Sequence, residues 1–461
     1  LTADSLNGDW TRVGPVVYSG FTTKEEAEKT DLFQVIGDSE GRDSVPERYL
    51  RNRNGNHTYG MNAIDPCVLY DDGGTLWMTY GSWFGGIYML KLDENTGLRD
   101  YTQTYETTEN ESDAYQGIML AGGNHCSGEA SYIQKIKDKY YLFMSYGGLE
   151  ARNGYNMRIF FSDDDITGPY RDLAGNDARK GITAGAGTVD GSVGNRLMSY
   201  YKWSFMNRGF TAQGHNSAIV DDDGRAYVVY HTRFDQGTEE HQVRVHQLFQ
   251  AKNGGLVTAP FEYSGEKLAE SAYAKSEVTG EYKIITMKTS EADHKSLKCA
   301  TEQTIQLKED GTVTGAYTGT WEQSADGPYV TLQSNNVTYQ GVFLKQNIEE
   351  TTYETMCLTL VGSNDVSIWG YQTFAGSAAV VKAVKNLKVK IGQMTYAKLD
   401  LPTDIMEGVD VTWLSSDPDV IATDGTVTAP SQNKEVTLTV TWKSGDYSYS
   451  KKFTTTVLAN M

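Results

Sequence analysis

The amino-acid sequence predicts an all-β fold with three parts: an incomplete β-propeller, a small β-barrel and an immunoglobulin-like β-sandwich. The 461 residues include 47 Gly and 30 Tyr but only 9 Pro, a composition typical of many short strands joined by tight turns. A strand-turn-strand unit recurs three times between residues 61 and 250. A meander of strands without helices follows, and the last part of the chain alternates strongly between apolar and polar residues. We therefore expect domains at residues 1–263, 264–382 and 383–461.

Each repeated unit begins with an ionisable side chain and continues with a strand, a tight turn and an aromatic-rich strand. The three leading side chains are Asp65, Glu129 and His215. Repeats of about 40–50 residues are typical of propeller blades, which surround a central axis. The sequence therefore predicts that these three groups converge at that axis. The predicted strands cover residues 68–70, 77–83 and 87–92, residues 130–136, 139–146 and 157–161, and residues 218–220, 226–231 and 242–249.

Outside the repeats the pattern is weaker. Residues 10–18 predict a strand, residues 24–29 a short helix, residues 375–384 a linker and residues 387–391 a first strand of the last domain. Three and a part blades are too few for a propeller, which normally has at least four. The sequence therefore predicts that something is missing at the N-terminus.

Charge and composition restrict the partners. The net charge of -19 argues against a nucleic-acid backbone or an anionic membrane and is compatible with a neutral ligand such as a sugar. No apolar run is long enough to span a bilayer. The chain begins with Leu and shows no signal peptide, so we expect a processed or truncated polypeptide. None of the four cysteines has CxxC spacing, which disfavours zinc, and a pair between Cys67 and Cys126 is left open.

The leading side chains suit the cleavage of a glycosidic bond. An acid must protonate the leaving oxygen, and an inverting enzyme also needs a base that activates water. Asp65 and Glu129 are candidates for such paired carboxylates, although an Asp before a Pro is more often a turn residue. His215 is a candidate for the centre or a structural hydrogen-bonding residue. Trp83 and the other aromatic residues at the strand ends either pack between blades or form a platform for sugar rings.

Several motifs resemble glycoside hydrolase family 43, and within it the endo-1,5-α-L-arabinanases. They are Asn62-Ala63-Ile64-Asp65-Pro66, Ser145-Tyr146-Gly147-Gly148-Leu149, Gly154-Tyr155-Asn156-Met157-Arg158, Gly214-His215-Asn216-Ser217 and His231-Thr232-Arg233-Phe234. The resemblance covers about residues 10–250, and the later parts resemble the accessory barrel of these enzymes and a bacterial Ig-like repeat. It implies a five-bladed β-propeller that works by inversion with three carboxylates.

By this resemblance, Glu129 matches the general acid and Asp65 the carboxylate that orients the acid and keeps it protonated. His215 matches the axial histidine beside a metal ion, usually calcium, whose place sodium or water takes in some members. Asn62, Trp83 and Arg233 are predicted to bind substrate. The expected substrate is arabinan or its oligosaccharides, and the expected location is extracellular.

One departure from the family pattern concerns the general base. The family's base is an Asp upstream of the Asn-Ala-Ile-Asp motif, and no segment of this sequence matches it. Either a separate N-terminal fragment carries the base and completes the propeller, which is the favoured interpretation, or the chain is a truncated product that is inactive alone. Two other functions stay open: a non-catalytic carbohydrate-binding propeller, and an exo-acting arabinofuranosidase or xylosidase.

Overall fold

The computed structural model describes the chain apart from residues 38–43, 51–60, 84, 123–127, 164, 181–192, 350, 352, 374–376, 446 and 460–461. Near the N-terminus lie two short helices, α1 (Lys24–Ala27) and α2 (Leu32–Ile36), and a 3-10 turn at Glu47–Tyr49. The predicted helix at 24–29 is confirmed, and Thr23 caps it by accepting a hydrogen bond from the Glu26 N–H.

The predicted strand at 10–18 is wrong. The described part of this segment has one bridge, between Thr2 and Thr11, and no strand. Gly14 has a φ of 146°, and Pro15 lacks the N–H that a strand ladder needs. These two residues end regular pairing after Thr11.

Three antiparallel sheets follow in chain order. The first has the strand order β1-β2-β3-β5-β4, the second β6-β7-β8-β9, and the third β10-β11-β12-β13-β14. Their bounds are β1 (Cys67–Tyr70), β2 (Leu76–Tyr80), β3 (Ile87–Lys91), β4 (Ser112–Asp113), β5 (Gly117–Ala121), β6 (Glu129–Ile136), β7 (Lys139–Tyr146), β8 (Asn156–Ser162), β9 (Asn195–Met198), β10 (Tyr201–Lys202), β11 (Phe210–Val220), β12 (Ala226–Phe234), β13 (Gln242–Gln250) and β14 (Leu256–Thr258). A 3-10 turn lies at Ala178–Lys180.

The nine predicted strands of the repeated units are confirmed with small shifts at their ends. The strand that opens each unit packs on its counterpart in the next: β1 on β6, and β6 on β11. The three described sheets are therefore arranged with their leading strands together, as the repeat predicted. The number of blades in the complete propeller stays a prediction.

Eight strands after residue 279 form a closed antiparallel barrel. They are β15 (Gly280–Thr286), β17 (Gln303–Leu307), β18 (Thr312–Gly315), β19 (Gly319–Gln323), β20 (Tyr329–Ser334), β21 (Val337–Asn347), β22 (Glu354–Gly362) and β23 (Ser367–Thr373). Short helices α3 (Lys275–Val278) and α4 (Glu291–Lys295) accompany them, and β16 (Ala300–Thr301) pairs in parallel with β10 of the third sheet.

The predicted linker at 375–384 is wrong, because helix α5 (Ser377–Asn386) occupies most of it. The ten residues of α5 include three Ala, the best helix former, and no Gly or Pro. The helix buries Val380, Val381 and Ala383 and packs against the last sheet. It leaves residues 387–391 without the predicted strand. The predicted domain limits at 263/264 and 382/383 stay predictions.

The C-terminal sheet has the order β24-β27-β26-β25, with β24 (Met394–Thr395), β25 (Asp410–Ser415), β26 (Lys434–Ser444) and β27 (Tyr447–Val457). One apolar cluster runs from the propeller sheets through the barrel to this sheet and includes Trp203, Trp369 and Trp442. The three parts are therefore packed on one another. Among the helices of the described residues, none combines the length and apolar character needed to cross a bilayer.

Candidate active site

Three leading strands bring Asp65, Glu129 and His215 together. Asp65 lies just before β1, Glu129 opens β6 and His215 lies within β11. The backbone is in the left-handed region at Asp65 (φ 54°), at Ala130 (φ 54°) and at His215 (φ 46°). Non-glycine residues rarely adopt this conformation, and such positions cluster at functional sites. A residue in the left-handed region therefore lies at, or directly after, each of the three candidate side chains.

The Glu129 carboxylate is held by three donors. The Tyr155 hydroxyl donates to Oε1 at 2.8 Å, and Trp83 Nε1 and Ser82 Oγ donate to Oε2 at 2.9 and 3.2 Å. Burial, reinforced by the charge of Glu129, raises the pKa of Tyr155, so this hydroxyl stays protonated and remains a donor. The three hydrogen bonds fix the direction of the carboxyl group.

Asp65 lies between the other two groups. Its Oδ2 accepts a hydrogen bond from the Ala130 N–H at 3.2 Å, and its Oδ1 is 3.8 Å from His215 Nε2. Burial raises the pKa of Asp65, and the charge of Glu129 acts in the same direction. His215 and the Ala130 N–H oppose this rise. Asp65 is therefore in electrostatic contact with both predicted partners.

His215 is half exposed, with 54% of its side chain accessible. Its backbone N–H donates to Ser145 Oγ at 2.8 Å, and its Nδ1 lies 3.5 Å from the Tyr155 hydroxyl. The exposed imidazole is therefore positioned by Ser145 of β7 and by Tyr155, the residue before β8, and lies beside Asp65.

Trp83 and Asn62 lie at this centre. Trp83, at φ 55°, donates its backbone N–H to the Gly128 carbonyl at 2.7 Å and its indole N–H to Glu129. Asn62 is exposed and donates Nδ2 to the Ser82 carbonyl at 3.3 Å. Their predicted contact with substrate stays a prediction.

Arg233 is engaged elsewhere. Its Nε donates to the Leu149 carbonyl at 2.8 Å, and its guanidinium forms an ion pair with Glu239 at 3.0 Å. The side chain is 9% exposed. In the structure it fastens the loop after β7, and its predicted role in substrate binding stays a prediction.

Tyr155, Ser82 and Ser145 were not identified from the sequence as site residues. Tyr155 lies in the Gly-Tyr-Asn-Met-Arg motif, which was the available signal. Its ring packs so closely on Gly214 that a Cβ there would lie 2.4 Å from a ring carbon. The His231 ring meets its edge at 5.6 Å, and burial lowers the pKa of His231 to about 4. The Tyr155 ring, packed against Gly214 and the neutral His231 ring, therefore holds the hydroxyl that donates to Glu129.

A metal ion beside His215 stays a prediction. Calcium takes six to eight oxygen ligands, and the residues here contribute one Asp65 carboxylate and one imidazole. The described part of the chain holds no group of three or more His, Cys, Asp or Glu side chains with ligand geometry. These residues alone would supply a small share of a calcium shell. Of the cysteines, Cys67 is a buried free thiol, and Cys126 lies outside the described residues.

Comparisons with known proteins identify the family. The family model "Glycosyl hydrolases family 43" matches residues 52–256. An extracellular endo-α-(1→5)-L-arabinanase from Thermotoga petrophila is 40% identical over 382 residues, which are 80% of this chain and 72% of that protein. The chain belongs to glycosyl hydrolase family 43. It is therefore a glycoside hydrolase. Two further models match, a C-terminal lipocalin-like domain at 260–370 and an atrophied bacterial Ig domain at 382–460.

A further relative and two solved structures are also similar to this chain. An extracellular endo-α-(1→5)-L-arabinanase 2 from Bacillus subtilis is 37% identical over 67% of this chain and 64% of its own length. The crystal structure of the Thermotoga petrophila endo-1,5-α-L-arabinanase has a TM-score of 0.64 at 34% identity, covering 81% of this chain and 76% of that one. A family 43 protein from Bacillus licheniformis has the same TM-score at 31% identity, over 80% and 76%.

Proposed function

We propose that the protein hydrolyses the α-1,5-linked L-arabinofuranosyl bonds of arabinan outside the cell. The observation that carries this proposal is the Glu129 carboxyl group, fixed by Tyr155, Trp83 and Ser82 beside Asp65. The names of the endo-arabinanase relatives support the choice of substrate. Their extracellular location supports the proposed location.

In the proposed reaction Glu129 is the general acid and gives its proton to the leaving glycosidic oxygen. Asp65 orients this acid through the backbone, because its Oδ2 accepts a hydrogen bond from the N–H of Ala130, the residue after Glu129. Trp83 and Asn62 contact the sugar from the exposed rim. The reaction inverts the anomeric carbon, because water attacks from the face opposite the leaving group.

The proposal assigns the general base to a further N-terminal segment or a separate polypeptide. In an inverting enzyme the base lies about 6.5–9.5 Å from the acid, whereas Asp65 is occupied beside His215.

The test uses linear arabinan and product analysis. We expect short arabino-oligosaccharides as the first products, with the β-anomer appearing first in proton NMR spectra of the fresh digest. Release of arabinose alone would point to an exo-acting enzyme, and the α-anomer first would refute inversion. Binding of arabinan without any hydrolysis, in a preparation whose intact mass shows the base-bearing segment, would refute the enzymatic proposal for this site.

A further inference from the structure

A groove lies away from the candidate active site, where the propeller meets the barrel. It consists of two cavities, of about 570 and 430 Å³. Gln340 of β21 lines both, so the two cavities are neighbours that share this residue. Phe161 of β8 lines the first and Tyr329 of β20 lines the second. Each volume is within the range of known small-molecule sites.

Three separate parts of the chain form the walls of the first cavity, and hydrogen bonds hold them together. The Asn195 side chain accepts from the Leu173 N–H at 3.3 Å and donates to Asp365 Oδ1 at 2.7 Å. The Tyr141 hydroxyl donates to the Gly254 carbonyl at 2.8 Å. These contacts join the second sheet to the barrel and to the β13–β14 turn. The groove is therefore formed before any ligand binds.

The polar lining suits a neutral ligand with many hydroxyl groups. Among the charged residues that line the two cavities, four are acidic and two are basic: Asp163, Asp165, Asp172, Glu322, Arg171 and Lys252. This balance disfavours an anion. Both oxygens of Asp172 accept hydrogen bonds from nearby donors, and Oδ1 of Asp165 accepts two from Thr167, which leaves less for a cation.

Gln340 supplies an unused hydrogen-bonding atom. Its Oε1 is buried and has no partner among the residues that the structure describes. A buried acceptor without a donor is costly. The Nε2 of the same amide makes one long hydrogen bond, 3.5 Å to Thr331 Oγ1, so a rotation of the side chain towards the cavities would let a ligand hydroxyl satisfy the acceptor. Phe161 and Tyr329 line the first and the second cavity. A Lys ammonium lies over one face of each ring, 5.5 and 5.3 Å from its centroid, and the rest of each ring offers apolar contact.

We infer that this groove is a second, non-catalytic binding site for a linear neutral oligosaccharide of several sugar units. Gln340 binds a hydroxyl at its centre, and the two rings contact sugar faces towards its ends. The choice of arabinan as the sugar rests on the proposed function. The existence of the groove and its fit to a neutral sugar do not. A polymer held at a second site raises the effective concentration of its other segments near the enzyme. The groove would therefore improve action on the polymer and not on short substrates.

Isothermal titration with linear arabinohexaose tests the site. The titrated protein is the full chain carrying Glu129→Gln, which prevents hydrolysis. The groove variant adds Gln340→Ala and Tyr329→Ala, and the matched control adds Gln333→Ala and Tyr396→Ala, which are exposed and line neither cavity. We expect a binding event that the groove variant loses and the control keeps. Identical titrations would overturn the inference. Gln340→Ala alone, with an unchanged melting temperature, guards against misfolding.

Kinetics of the chain with Glu129 intact give an independent readout. In the groove variant we expect the KM for linear arabinan to rise about five-fold, with kcat and the KM for arabinotriose unchanged. An equal change on both substrates, or none, would contradict the inference. Xylohexaose is titrated in parallel. A groove event with either sugar, in a preparation that contains the base-bearing segment and does not hydrolyse arabinan, would refute the proposed function and leave the groove site intact.

Discussion

The leading strands of the propeller and the strands of the barrel are both antiparallel, but they differ in regularity. The pairing of β11 with β12 shifts register twice around Gly214, and that of β6 with β7 shifts after Glu129. In the barrel, β21 and β22 pair without a shift from Tyr339–Gly362 to Asn347–Glu354. Bulges re-aim side chains and are common beside active sites. The irregular strands carry the candidate chemistry, and the regular ones provide a support.

The largest expected effect is at Glu129. Glu129→Gln keeps the size of the side chain but removes the proton donor, so we expect kcat on linear arabinan to fall by about 10³ or more. Glu435→Gln, at an exposed position near the start of β26 in the last sheet, is the matched control and should keep its activity. A Glu129→Gln variant within ten-fold of the original rate would remove the reason for treating the irregular strands as catalytic.

Substitutions at two glycines, one in each region, test this difference directly. A Cβ at Gly214 would press on the Tyr155 ring, and one at Gly341 would lie 1.8 Å from the Thr359 carbonyl oxygen. We expect Gly214→Ala to lower kcat by about 10² through displacement of Tyr155. Gly341→Ala should instead lower the free energy of unfolding by about 1–3 kcal/mol with kcat retained. Denaturation curves and initial rates on the same samples decide, and similar effects of both variants would erase the distinction.

A smaller effect is expected from the Tyr155 hydroxyl. Tyr155→Phe keeps the ring against Gly214 and removes one hydrogen bond to Glu129, so kcat/KM should fall about ten-fold. The control is Tyr282→Phe in the barrel, where the buried hydroxyl donates to the Val278 carbonyl at 2.9 Å. That variant should keep its kcat/KM. Equal losses in both would show that a buried hydroxyl matters only for stability.

The smallest effect on activity is expected at the contact between the two regions, where the change is one of stability. Burial and the nearby charge of Asp172 raise the pKa of Asp365 to about 7, although Arg158 opposes this. Because the folded pKa lies above the unfolded value, the stabilising contribution is present below about pH 4 and is lost as the pH rises through 7. We expect the free energy of unfolding to fall by about 2–4 kcal/mol over this window.

Asp365→Asn should remove this pH dependence while keeping an acceptor for Asn195. Asp310→Asn is the control, since hydrogen bonds from Thr312 lower the pKa of Asp310 and its contribution changes only at more acidic pH. Denaturant titrations from pH 4 to 8 measure both. An unchanged slope for Asp365→Asn would contradict the assignment.

The sequence predicted the repeat and its three leading groups because each unit is local. A polar side chain, a strand, a turn and an aromatic strand can be recognised within one stretch, and their convergence follows from the repeat. The sequence did not predict Tyr155 and Ser145 as site residues, because their contacts with Glu129 and His215 join different parts of the chain. Arg233 lies in a matching motif, but its guanidinium binds the Leu149 carbonyl and Glu239. These contacts join distant parts of the chain and are visible only in the folded structure.

The errors outside the repeat also have physical causes. Residues 10–18 look apolar enough for a strand, but Gly14 and Pro15 interrupt the ladder. Residues 375–384 form a short stretch between two predicted β domains, so the sequence predicted a linker there and not a helix. Their helix is stabilised by packing against β26 and β27, which sequence periodicity alone does not show.

The most direct test of the account is a crystal structure of the Glu129→Gln protein with linear arabinohexaose. The account predicts a glycosidic oxygen within about 3 Å of the side chain at position 129, with the adjoining sugar beside Asp65 and Trp83. An oligosaccharide that occupies the centre with no glycosidic oxygen near position 129, or that binds only at the barrel groove, would contradict it.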